Sequence, residues 1–127
     1  MRADLMKENS QFPVFNEKTM AMLRKSTASN PLYLNELFEN FMDDASELIA
    51  EMESAGEKDE FEQYYNSVHT LKGLCGTIGC SRMFEMLKFM DSLNKEQNFD
   101  QSKGHLSDLK NVFEETVHAI KTQIIGS

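Results

Sequence analysis

Residues 61–79 read FEQYYNSVHTLKGLCGTIG. At about 100° per residue in a helix, Tyr64, Val68, Leu71, Leu74, Cys75 and Ile78 fall on one face, and Gly79 closes the run as a helix stop. An apolar stripe at three- and four-residue steps predicts an amphipathic helix with one buried side. The opposite side carries Glu62, Tyr65, Asn66, His69, Lys72, Gly73 and Gly76. His69 is therefore expected in solvent, with Lys72 one turn on, where side chains meet. Gly73 and Gly76 follow at i+4 and i+7 beside the imidazole.

The same logic extends in both directions. Ser29-Asn30-Pro31 puts a capping residue ahead of a proline at the first helical position. From there Leu34, Leu37, Phe38, Phe41, Ala45, Leu48 and Met52 predict a long helix ending at Gly56. Asp59-Glu60-Phe61-Glu62 has the spacing of an approximate capping box for the quoted helix. Downstream, Ser81 is a candidate cap for a helix with Met83, Met86, Leu87, Met90 and Leu93 inward. Lys95 to Asp100 reads as a polar loop, and a last helix is expected from Ser102 to Ile124, with Leu106, Leu109, Phe113, Val117, Ile120 and Ile124 inward. Upstream, Asn16 caps a short helix over 17–25, with Met20 and Leu23 inward. Phe12 and Phe15 flank Pro13 in a polar arm and are expected to dock on the body. No strand pattern or internal repeat is present. Short connections make successive helices antiparallel. The expected fold is all-α: an antiparallel up-down-up-down four-helix bundle with a short additional N-terminal helix, over residues 16–126, preceded by a flexible arm over 1–15.

The 127 residues have room for one domain. A formal charge of -8 argues against binding nucleic acid or docking on anionic lipid, both of which need clustered cations. The longest uncharged stretch of helix character, Gly73 to Ser81, is too short to cross a bilayer. MRADLMKENS lacks the apolar core of a signal peptide. A cytoplasmic monomer is expected. Cys75 and Cys80, with no further cysteines, read as buried free thiols rather than a disulfide or metal framework.

Two glycines within a helix cost about 1 kcal/mol each relative to alanine. Their presence beside His69 calls for a reason, and clearing the approach to the imidazole supplies one. A neutral imidazole carries a lone pair at neutral pH and attacks phosphorus without a general base. A lysine at i+3 is placed to offset charge on the oxygens of a transferring phosphoryl group. No Gly-rich phosphate loop follows a strand, so nothing here cradles a nucleotide.

His69-Thr70-Leu71-Lys72-Gly73, with Ile78-Gly79 following, resembles the signature of histidine-containing phosphotransfer (HPt) domains of two-component phosphorelays. The resemblance implies a four-helix bundle with the histidine exposed at mid-bundle. It implies a carrier, without kinase activity of its own, that relays a phosphoryl group between receiver-domain aspartates. His69 would be the phosphoryl acceptor at Nε2 and Lys72 would stabilise phosphate oxygens. Gly73 and Gly76 would admit the partner, with Tyr65 and Asn66 contributing to docking. The implied partners are response-regulator receiver domains, with a hybrid sensor histidine kinase as a further candidate. No cofactor or metal is expected in this chain; Mg²⁺ would belong to the receiver. The chain departs from the family at Leu74, where a small residue is usual. It departs again at Asp91-Ser92, a region where many members carry Glu.

Other candidates have plainer explanations. His118 and Lys121 repeat the His-Lys spacing, but Thr122 replaces the glycine. Glu115-x-x-His118 has the spacing of a di-iron ligand pair without the second copy such sites need. His105 reads as a packing or capping residue, and Asp43, Asp44, Glu47 and Glu51 as a solvated face. The alternative function is a non-catalytic helical module that docks a receiver or another signalling protein without accepting phosphate.

Overall fold

The computed structural model describes residues 11–126, and these contain helices and turns without a strand. Residues 1–10, most of the expected arm, lie outside the described residues. Helix α1 spans Glu17–Ser26, α2 Leu32–Glu57, α3 Phe61–Ile78, α4 Ser81–Lys95, α5 Phe99–Lys103 and α6 Leu106–Ile120, which runs on into a π-turn over Lys121–Ile125.

The four longer helices after α1 form the bundle. Gly76 of α3 lies beside Phe84 near the start of α4, while Lys72 and His69 reach Asp91 near its end, so α3 and α4 are antiparallel. Ser67 of α3 donates to Glu51 of α2 at 3.1 Å, and Lys110 of α6 lies 3.2 Å from Glu53 of α2. Phe38, Met52, Tyr64, Val68, Leu71, Met83, Met86, Leu87, Met90 and Leu109 fill the centre without measurable exposure. Unbranched methionines conform to irregular gaps between helices, and the stripe expected at Met83, Met86 and Met90 is core.

The first helix has a positioning role. Asn16 caps α1 through a 2.8 Å bond from the Thr19 backbone N–H. The Asn16 N–H itself donates to the Gly79 carbonyl at 2.8 Å. Gly79 has φ of 84°, and a Cβ there would sit 2.9 Å from Thr19 Cβ. This glycine therefore serves both the left-handed end of α3 and the close seating of α1. Phe15 packs edge-on against Phe38 at 6.1 Å, and the Phe12 carbonyl accepts from Arg82 Nε at 2.8 Å.

Several local expectations are corrected. Helix α2 continues through Glu57, past Gly56, and the chain reverses at Asp59 with φ of 56°, a conformation that Asp tolerates better than most residues. The Asp59 carboxylate meets Lys103 at 3.3 Å, so no capping box forms and α3 starts without a side-chain cap. Gly56 instead leaves room for Lys103, whose Cδ would lie 3.1 Å from an added Cβ. Ser81 opens α4 without capping it. On α2, Leu37 is exposed and Ile49 is buried in the inward stripe. On α6, Val112 and Thr116 are fully buried while Phe113 is only partly so. The expected single last helix is broken at Gly104-His105 into α5 and α6. Ser102 of α5 is buried and meets the Tyr64 hydroxyl at 2.7 Å, an anchor that hydrophobic periodicity does not reveal.

Candidate functional site

Amphipathicity rotates α3 so that Tyr64, Val68, Leu71 and Cys75 are buried, and this turns His69 outward at mid-bundle. The imidazole side chain is 57% exposed. Tyr65, one turn earlier and partly buried, lies with its ring nearly parallel to the imidazole, at 10° and 6.2 Å between centroids. Asn66 is exposed on the same side.

The main revision concerns Lys72 and its partner. Instead of projecting freely, Lys72 is 20% exposed and donates from Nζ to Asp91 Oδ2 at 2.7 Å. Asp91, 2% exposed, is pointed at α3 by its place one turn after Leu87 on the inward face of α4. Its other oxygen, Oδ1, lies 3.6 Å from His69 Nδ1, and Lys95, one turn further along α4, lies 3.3 Å from Oδ2. Burial pushes the Asp91 carboxyl up. The hydrogen bonds and charges of Lys72 and Lys95 outweigh that and hold it below its ordinary value.

This arrangement has a chemical consequence. At 3.6 Å Asp91 Oδ1 makes no hydrogen bond to the ring, but its negative charge on that side favours a proton on Nδ1, and the lone pair then sits on Nε2. Any positive charge that develops on the ring when Nε2 forms a bond is opposed by the same carboxylate. Lys72, one turn on from the imidazole, rests on the carboxylate that faces Nδ1, and its flexible stem gives it the reach to swing toward an anion on Nε2.

The glycines divide. A Cβ at Gly73 would meet nothing within 4 Å, so the residue leaves the surface beside His69 bare. A Cβ at Gly76 would lie 3.2 Å from Phe84 Cε1, so that glycine also lets α4 approach α3. Both are exposed. Leu74 is partly buried and packs against the core.

The remaining candidates lie elsewhere. His118 and Glu115 are exposed on α6. His105 is buried, edge-on to Phe89 at 5.3 Å. Cys75 and Cys80 are buried free thiols. Among the described residues no group of three His, Cys, Asp or Glu side chains is arranged to hold a metal ion. None of their helices is long and apolar enough to cross a membrane.

Sequence reading placed His69, Lys72 and the glycines in one helix but left Asp91 as a departure from pattern and did not single out Lys95. A signal was present: Asp91 follows Leu87 at i+4 and Met90 directly, a charged residue on an otherwise apolar face, and buried carboxylates need cationic partners.

A protein-family model described as the Hpt domain matches residues 36–122, from the first turns of α2 to the π-turn that ends the last helix.

Proposed function

Because this chain belongs to the Hpt domain family, whose members are phosphocarrier modules of two-component signalling, we propose that it relays a phosphoryl group between receiver-domain aspartates through His69. The observation that carries this reading is the exposed imidazole with Asp91 behind Nδ1 and Lys72 at its side.

In the proposed step, the Nε2 lone pair of His69 attacks the phosphorus of a receiver's aspartyl phosphate. The P–N bond forms as the P–O bond to the aspartate breaks, and the leaving electron pair stays with the aspartate carboxylate. The ring keeps its Nδ1 proton facing Asp91, which balances the charge the ring acquires. Lys72 turns toward the phosphoryl oxygens. The reverse sequence returns the group to the aspartate of a second receiver. The bare surface at Gly73 supports close approach by the receiver, with Tyr65, Asn66 and Gly76 at the edge of the docking area. No cofactor is assigned to this chain, and Mg²⁺ is assigned to the receiver. A hybrid sensor kinase is a source from which the first receiver could come.

The test is incubation with receiver domains carrying radiolabelled aspartyl phosphate. Wild type is expected to gain acid-labile, base-stable label, and His69→Gln none. Equal labelling of His69→Gln would remove the site assignment, and failure of every receiver to label wild type would favour the docking-module alternative.

A further inference from the structure

Asp91 is served by two lysines where one would neutralise it. Lys72 reaches Oδ2 from α3 at 2.7 Å and Lys95 reaches the same oxygen from α4 at 3.3 Å. As a stability device the second pair is weak, because Lys95 is 56% exposed. A reason for it appears when the two demands on Lys72 are compared. At rest Lys72 covers Asp91; in the transfer step it is drawn to phosphoryl oxygens on the far side of the imidazole. A carboxylate only 2% exposed is costly to leave without a cation. A single lysine would be divided between two anions.

Building on the phosphotransfer reading, we propose that Lys95 is a positioning residue that takes over Asp91 when Lys72 turns to the phosphoryl group on His69. The exchange needs little motion. Lys95 already touches the oxygen that Lys72 gives up, and its i+4 spacing from Asp91 keeps it there whatever happens on α3. Each anion then has its own counter-charge. Asp91 Oδ1 faces the ring that gained charge at Nε2, Lys95 holds Oδ2, and Lys72 serves the phosphoryl group. Lys95 acts through Asp91 and touches no reacting atom.

The experiment is a double-mutant cycle on the transfer equilibrium between His69 and a phosphorylated receiver that labels wild type. Lys95→Met is expected to shift that equilibrium toward the receiver by about two- to fivefold, the scale of a partly exposed charge pair. In an Asp91→Asn background the same change is expected to have no effect, since the residue it serves is gone. In the unphosphorylated protein, the acid midpoint of the Asp91 carboxyl carbon, followed by NMR, is expected to rise in Lys95→Met. No shift of the equilibrium, or an equal shift in both backgrounds, overturns the proposal; the latter would mean that Lys95 meets the phosphoryl group or the receiver directly. An unmoved Asp91 midpoint overturns it as well. A wild-type protein that no receiver labels overturns the phosphotransfer reading, and this inference with it, and is told apart because it is seen before any Lys95 variant is made.

Discussion

Lys72 Nζ sits 2.7 Å from Oδ2 of Asp91, a contact that fastens the outer edge of α3 to a buried carboxylate on α4 directly beside His69. It joins two residues 19 apart in sequence. It gives Asp91 a structural role beside the chemical one proposed for it, and the two are separable by experiment.

Asp91→Asn is expected to lower stability by about 1–2 kcal/mol. The loss is moderated because Lys72 and Lys95 retain access to water. The pH dependence has a defined sign. The folded-state pKa of Asp91 lies below its ordinary value, so its contribution is fully present above about pH 4 and is lost as pH falls through the lower folded value. Denaturant midpoints of wild type and Asp91→Asn, measured from neutral pH downward, are expected to differ at neutral pH and converge in acid. A constant gap would show that the effect is not the carboxylate charge.

Lys72→Ala is expected to slow phosphoryl uptake by about 10²-fold, the usual scale for removing one charge-stabilising donor from a transfer site. Receiver binding, measured by titration calorimetry on the unphosphorylated proteins, is expected to change little. The reverse pattern would make Lys72 a docking residue.

The three glycines of α3 and its end should separate when each is replaced by alanine. Gly73→Ala adds a Cβ in open space and is expected to stabilise by up to about 1 kcal/mol through helix propensity, while slowing transfer from a receiver. Gly76→Ala gains the same propensity but presses on Phe84, so its stability is expected to fall below that of Gly73→Ala. Gly79→Ala meets both positive φ and Thr19 and is expected to destabilise by at least about 1 kcal/mol. Thermal melts rank the three; a stabilised Gly79→Ala would contradict the seating of α1.

Both thiols are expected to be silent in the folded protein. Burial pushes the Cys80 thiol up to about 12 and Cys75 higher still, with the neighbouring Cys80 adding to the rise. Since the thiolate is the reactive form, Ellman's reagent is expected to detect no fast-reacting thiol under native conditions and both after denaturation. A fast native thiol would mean that the α3–α4 turn opens readily.

Much of this was legible along the chain because it depends on helical period. The exposed position of His69, the burial of Tyr64, Leu71 and Cys75, and the left-handed end at Gly79 each follow from spacing within one helix. The family signature, from His69 to the cap at Gly79, is confined to that helix and its end for the same reason. Helix ends were read less well. Asp59 and Ser81 have capping chemistry, yet Asp59 is taken by Lys103 from α5, and Ser81 opens α4 without forming a cap bond.

Relations between helices were settled by packing. Whether Gly76 is bare or pressed by Phe84, whether Lys72 points to solvent or to Asp91, and whether the last helix breaks at Gly104 all depend on how α3, α4 and α5 are placed against one another. A helical repeat assigns each residue a direction about its own axis and says nothing of what stands opposite. The period of α3 was enough to turn His69 outward. The antiparallel seating of α4 brought a carboxylate and a second lysine to it.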